Sequence, residues 1–230
     1  MNDIAASLNT VEERIRAAER RFWRTPGSVR LLAVSKAHSA AAIAEAYRAG
    51  QRAFGENYVQ EALSKMETIP QADIEWHFIG PVQSNKTRAI GLRFSWVHSL
   101  ERLKIARRLS EQRPQHLPPL NVCIQVNVAH EPTKSGVAPA EAAVLAQEVA
   151  ELPGLRLRGL MAIPPPAQDF ESQRAPFRRL RELLEALNAE GFSLDTLSMG
   201  MTSDMEAAIA EGATIVRIGT AIFGPREEKA

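Results

Sequence analysis

The sequence predicts one α/β domain, a parallel (β/α)8 barrel of the TIM type with an extra helix at its N-terminus. Three observations carry that expectation. Short apolar segments alternate with amphipathic helical patterns from about residue 31 to residue 218, and such alternation builds right-handed parallel strand–helix–strand units. Eight apolar segments occur in this order, the number that closes a barrel in a chain of this size. No G-x-G-x-x-G follows the first of them, which puts the open doubly wound sheet in second place.

The extra helix comes first. Residues 3–24 place Ile4, Leu8, Val11, Ile15 and Ala18 at helical spacing, and Thr25-Pro26-Gly27 ends the run, as expected of a helix stop. The first strand, 31–35, is the apolar run Leu31-Leu32-Ala33-Val34-Ser35. Strands two to four are expected near 52–54, 75–79 and 94–98, the second and third closed by Gly55 and Gly80. The fifth, 120–128, contains Asn121-Val122-Cys123-Ile124-Gln125-Val126, and the last three lie near 156–162, 195–199 and 214–218. Helical patterns fill the gaps near 39–49, 57–67, 82–91, 100–112, 139–151, 169–190 and 203–211. The last opens on Ser203-Asp204-Met205-Glu206, a capping-box pattern. Pro164-Pro165-Pro166 is a loop too short to separate domains, and no linker or charge block interrupts the chain, so residues 1–230 read as one domain.

Composition narrows the function by exclusion. Apolar content of 45% and charged content of 24% are those of a soluble globular protein,. A net charge of +1 gives no reason to expect nucleic acid or an anionic membrane as partner,. The basic clusters at Arg20-Arg21 and Arg174–Arg181 are mixed with acidic residues and read as solvated helix faces. The single cysteine, Cys123, excludes an internal disulfide and a cysteine metal cage, and its apolar neighbours mark it as buried packing,. The histidines show no metal-binding spacing, so no metal is expected. Nothing resembles a signal peptide or a spanning helix, which points to the cytoplasm.

In a parallel barrel the working face is the C-terminal end of the strands. Lys36 closes strand one there. A lysine desolvated at such a site offers a free amine for attack on an aldehyde, and the plain alternative is a lysine reaching into water. Phosphate in barrels is typically held after strands seven and eight. Strand seven runs on as Ser198-Met199-Gly200-Met201-Thr202-Ser203 and strand eight as Gly219-Thr220-Ala221-Ile222-Phe223-Gly224. Both supply small residues, hydroxyls and backbone N–H groups, although tight turns and helix caps would look the same. A lysine and a phosphate cradle together point to a ligand with an aldehyde and a phosphate, pyridoxal 5'-phosphate.

Arg217 interrupts the apolar strand Thr214–Ile218. A charge there needs a ligand or a partner. It would face the pyridine nitrogen of the cofactor, or else pair with a carboxylate such as Glu56 or Asp204. Asn57, after strand two, is placed to bond the ring hydroxyl, and His77 on strand three to line the pocket, with a satisfied core histidine as the alternative. Lys65, Lys86 and Lys134 are further amines that the sequence does not rank.

These segments resemble a known family. Ala33-Val34-Ser35-Lys36, Phe54-Gly55-Glu56-Asn57, His77-Phe78-Ile79-Gly80, Gln83-Ser84-Asn85-Lys86, Gly159-Leu160-Met161-Ala162-Ile163-Pro164 and Leu197-Ser198-Met199-Gly200-Met201 occur in family order. With Val216-Arg217-Ile218-Gly219-Thr220-Ala221-Ile222-Phe223-Gly224, they resemble the pyridoxal phosphate homeostasis protein family. The resemblance implies a barrel like the N-terminal domain of alanine racemase that binds pyridoxal phosphate without known turnover. It gives Lys36 the Schiff-base role, Ser198, Gly219 and Thr220 the phosphate, and Arg217 the pyridine nitrogen. Gly200 and Thr202 join the cofactor-binding set, Thr202 standing where a serine is expected.

The function implied is intracellular handling of the cofactor (a form of vitamin B6), with apo-enzymes as recipients and a monomer as the working unit. The alternative is an amino acid racemase. Racemisation needs acid–base groups on both faces of the substrate carbon, and the resemblance implies a second base from a further domain, for which this sequence offers only Tyr47 and Tyr58. A phosphosugar Schiff-base aldolase is a third reading that fold analogy leaves open.

Overall fold

The computed structural model describes residues 3–129, 131 and 134–225. Helix α1 (Ile4–Arg21) precedes the units β1 (Arg30–Val34), α2 (Ala40–Arg48), β2 (Ala53–Glu56), α3 (Val59–Thr68), β3 (Glu75–Phe78), α4 (Thr87–Arg93), β4 (Trp96–Leu100) and α5 (Leu103–Gln112). The chain continues as β5 (Leu120–Gln125), α6 (Ala142–Ala150), β6 (Leu155–Met161), α7 (Phe170–Ala189), β7 (Thr196–Ser198), α8 (Met205–Ala210), β8 (Ile215–Ile218) and α9 (Thr220–Phe223). The strands pair in sequence order, all parallel, and β8 closes on β1 with Leu32 opposite Arg217. The barrel predicted from alternation is therefore the barrel observed.

Strand alternation sorts side chains into two cores. Leu31, Ala33, Phe54, Trp76, Phe78, Val97, Val216 and Ile218 point outwards and join the helices in one large apolar cluster. Leu32, Ala53 and Ile215, and separately Trp96, Cys123 and Met161, fill the barrel interior as small clusters of their own. Cys123 is fully buried, and burial pushes its thiol up to about 12. The packing reading of this residue holds.

Helix α1 is fixed at both ends. Asp3 caps it by accepting the Ala6 N–H at 2.9 Å, and Glu19, 1% exposed, accepts the N–H groups of Gly27 and Val29 and pairs with Arg16 at 2.7 Å. The helix stops at Arg21, earlier than residue 24, because Trp23 takes a positive φ of 51°.

Several other boundaries are offset from expectation, three of them for a visible reason. Helix α4 starts at Thr87 rather than 82, since Lys86 N–H turns back to the Gln83 carbonyl at 3.0 Å. Strand β4 starts at Trp96 rather than 94, because Phe94 still donates its N–H to Ile90 as the cap of α4. Strand β5 ends at Gln125 rather than 128, where Val126 bridges to Val137 instead. Helix α9 is unforeseen: four residues cannot show a helical period,.

Candidate cofactor site at the mouth of the barrel

The C-terminal ends of the strands bring Lys36, Asn57, Gly200, Thr202, Gly219 and Thr220 to one face, with Arg217 one residue inside the end of β8. Lys36 lies two residues past the end of β1 and is half-buried. Both of its chain neighbours are anchored by α3. Lys65 Nζ donates to the Ser35 carbonyl at 2.8 Å, to Glu56 Oε1 at 2.7 Å and to Glu61 Oε1 at 2.6 Å. Glu61 Oε1 also accepts the Ala37 N–H at 2.6 Å, and Ala37 sits at a φ of 61°. Lys65 is 5% exposed and holds two carboxylates. Burial pushes the Glu56 carboxyl above its ordinary range, and Lys65 and Ser35 oppose that shift.

Arg217 is 5% exposed, and burial brings its guanidinium down to about 10. Its bonds go to uncharged oxygens: Nη1 donates to Ser198 O at 2.6 Å and Ser198 Oγ at 2.8 Å, and Nη2 to Ala162 O at 2.9 Å. The ion-pair alternative does not hold among the described residues. Glu56 belongs to Lys65, and Asp204 accepts the Met201 N–H at 2.6 Å and acts on Arg217 only through space. Nε and one hydrogen of Nη2 make no bond among the described residues. A buried guanidinium with donors left over is a ligand-facing arrangement.

His77 and Ser198 are placed differently from expectation. His77 is fully buried inside the barrel, between Glu75 (2.7 Å from Nε2) and His98 (2.8 Å from Nδ1), and stacks on Trp96 at 5.4 Å. It is the satisfied core histidine. Ser198 is equally buried, and its hydroxyl meets His98 Nδ1 at 2.7 Å and Arg217 rather than the mouth. His98 was not singled out from the sequence. Its partner Ser198 lies on β7, which only the barrel's closure brings across to β4.

The loops after β7 and β8 are both built on glycine. Gly200 has a φ of 94°, and a Cβ there would lie 2.6 Å from Ala208 Cβ. At Gly219 a Cβ would lie 3.0 Å from the Val34 carbonyl oxygen, a tight contact that glycine avoids where β8 runs beside β1,. Thr220, exposed, opens α9, whose Ile222 and Phe223 N–H groups donate to the Gly219 carbonyl at 2.9 Å. Across the mouth, Asn57 Oδ1 is buried with no hydrogen-bond partner among the described residues. The residues present fit pyridoxal phosphate: an amine at Lys36, spare donors on Arg217, an orphaned amide oxygen at Asn57 and a glycine-built turn at Gly219-Thr220.

Residues 6–227 match the family described as alanine racemase, N-terminal domain. The pyridoxal phosphate homeostasis protein of Pseudomonas aeruginosa is 60% identical over 227 residues, covering 99% of this chain and 97% of that protein. Its Escherichia coli K12 counterpart is 54% identical, covering 99% and 98%. Among solved structures, PipY of Synechococcus elongatus PCC7942 with PLP bound is 38% identical, covers 96% of this chain and all of that one, and has a TM-score of 0.85. An alanine racemase from Clostridium difficile shares the fold, with a TM-score of 0.79 at 13% identity. On the strength of the match across residues 6–227 and of relatives more than half identical end to end, the chain belongs to the pyridoxal phosphate homeostasis protein family.

Proposed function

We propose that this protein binds pyridoxal 5'-phosphate at the mouth of the barrel and serves in its homeostasis, holding the cofactor and passing it on without turning over a substrate. The observation that carries the reading is Arg217, a buried guanidinium with, among the described residues, no carboxylate bonded to it and donors to spare, on the strand next to that of Lys36. The cofactor, when bound, supplies an aldehyde for a lysine and an electron-withdrawing ring. Lys36 offers the amine. Arg217 donates towards the pyridine nitrogen and disfavours its protonation, which weakens the ring as an electron sink. Asn57 bonds the ring hydroxyl. Gly200, Thr202, Gly219 and Thr220 take the phosphate through N–H groups and hydroxyls, while the Ser198 hydroxyl serves Arg217 instead.

Racemase chemistry is the less favoured reading. Tyr47 donates its hydroxyl to Asp73 at 2.7 Å, and Tyr58 is 62% exposed. Neither is held as a second base over the site. The recipients on the favoured reading are apo-enzymes that use the same cofactor, and the working unit is a cytoplasmic monomer.

The test is a visible spectrum of the purified protein, followed by borohydride trapping and peptide mass spectrometry. A pyridoxyl adduct on Lys36, absent in Lys36→Ala, with no amino acid turnover, is the expected result. A protein that takes up no added pyridoxal phosphate overturns the reading and turns attention to phosphosugars. Rapid racemisation of an amino acid would make it an enzyme.

A further inference from the structure

A line of hydrogen-bonded side chains crosses the inside of the barrel from its floor to the cofactor site. Glu75, the first residue of β3, meets His77 at 2.7 Å, His77 meets His98 at 2.8 Å, His98 meets Ser198 at 2.7 Å, and Ser198 meets Arg217 at 2.8 Å. His77, His98 and Ser198 are 0% exposed. Glu75 reaches the surface at the floor, where Arg30 of β1 pairs with it at 2.8 Å.

The two ends fix the direction of every hydrogen between them. Arg217 has only donors, so Ser198 Oγ accepts from it. Glu75 is a carboxylate, held at about 2 against the effect of burial by His77 and Arg30, so His77 Nε2 donates to it. Burial lowers the pKa of both imidazoles, that of His98 furthest, and a neutral ring carries one N–H. His77 is then bare at Nδ1 and accepts from His98 Nε2. His98 is bare at Nδ1 in turn and accepts the Ser198 hydroxyl hydrogen. The charged groups acting on the two rings are Glu75, Arg30 and Arg217, with Arg158 of β6 lying 4.8 Å from the neighbouring Trp96 ring. Trp96 packs on both rings and joins Cys123 and Met161 in a buried apolar cluster.

We propose that Glu75, His77, His98 and Ser198 are positioning residues for Arg217, a one-way relay that aims the guanidinium's remaining donors at the ring nitrogen of the cofactor and ties that contact to the Arg30–Glu75 pair at the opposite end of the barrel. The proposal rests on the cofactor reading for its purpose and on the barrel interior for its geometry. A chain of bonds in a buried interior is polarised along its length, so a change at the floor is felt at the mouth.

Two measurements test it. Imidazole 15N spectra of the cofactor-free protein near neutral pH should show His77 and His98 both neutral and protonated at Nε2. An Nδ1-protonated or doubly protonated ring at either position overturns the relay. Glu75→Gln, which adds no buried volume, replaces the acceptor with an amide that can also donate. It should disturb the His98 ring signals, shift the absorption maximum of bound pyridoxal phosphate and weaken its retention about 2- to 10-fold. Should that variant misfold, Ser198→Ala breaks the line at its other end and gives the same readout. Wild-type spectrum, affinity and ring signals in a folded Glu75→Gln protein would sink the proposal. If the wild type itself takes up no cofactor, the cofactor reading fails while the ring tautomers still judge the relay.

Discussion

Glu61 holds the backbone N–H of Ala37 at 2.6 Å, reaching from α3 to the residue that follows Lys36. Ala37 is in the left-handed region at φ 61°, which costs a residue with a Cβ about 1–2 kcal/mol. Glu61 and Lys65 impose that conformation, one on the Ala37 N–H and the other on the Ser35 carbonyl. The bend lets the chain leave β1 for α2 with Lys36 at its apex.

Lys65→Met should therefore damage both stability and cofactor attachment. It strands the fully buried Glu56 without its ammonium, a loss of about 3–5 kcal/mol for a broken buried pair. Denaturant unfolding reads the first effect, and the rate of borohydride-trappable attachment at Lys36 reads the second. Glu61→Gln, which keeps an acceptor for Ala37, should be milder on both. Wild-type attachment kinetics in Lys65→Met would show that the bend is set by the backbone alone.

Arg217→Met should fold yet hold pyridoxal phosphate poorly. Removing a buried cation that has no bonded carboxylate among the described residues relieves a desolvation penalty, and methionine fills much of the space. The lost charge-assisted bond to the ring is worth about 1.5–3 kcal/mol, so retention should fall by about tenfold or more. Equilibrium dialysis measures it. Unchanged affinity would take Arg217 out of the site.

The barrel was legible because its signal is repeated: alternation along each strand and alternation of strands with helices both point the same way. Lys36 and Arg217 stood out for a related reason, each being a charge at an apolar strand where burial needs an explanation. Lys65 did not, because a lysine at helical spacing looks solvated until β2 puts Glu56 beneath it. The relay was hidden further still. His98 and Ser198 are 100 residues apart and meet only across the closed barrel, and the Ser198 hydroxyl could be read as facing the mouth until parity with Arg217 turned it inwards.

Gly200→Ala should be destabilising out of proportion to one methyl group. The new Cβ would need φ near 94° and would press on Ala208 Cβ at 2.6 Å, so the loop after β7 must shift. Strain at a positive φ of this kind runs to about 1–3 kcal/mol. Because the same loop carries Thr202, phosphate affinity should fall with stability, and inorganic phosphate competition against bound cofactor would register the change. Gly212→Ala has a positive φ of 95° but lies at the other end of β8, before Ile215. It should lose stability without changing phosphate affinity, and equal losses of affinity in both variants would argue against a phosphate cradle at Gly200.

Acid should weaken the fold well before ordinary carboxylates titrate. His77 and His98 have folded pKa values below the unfolded value of 6.5, because burial opposes their charging. The unfolded chain then binds more protons than the folded one as pH drops through that value. Stability is fully present above 6.5 and declines below it, by at most about 1.4 kcal/mol per pH unit for each histidine. Glu75 adds a second decline at lower pH, between its unfolded 4.5 and about 2. Unfolding midpoints measured across this range should fall as the pH drops below 6.5, and His77→Gln should remove one histidine's share of the slope. A midpoint that stays level down to about pH 5 would mean that the buried rings are already charged in the native barrel.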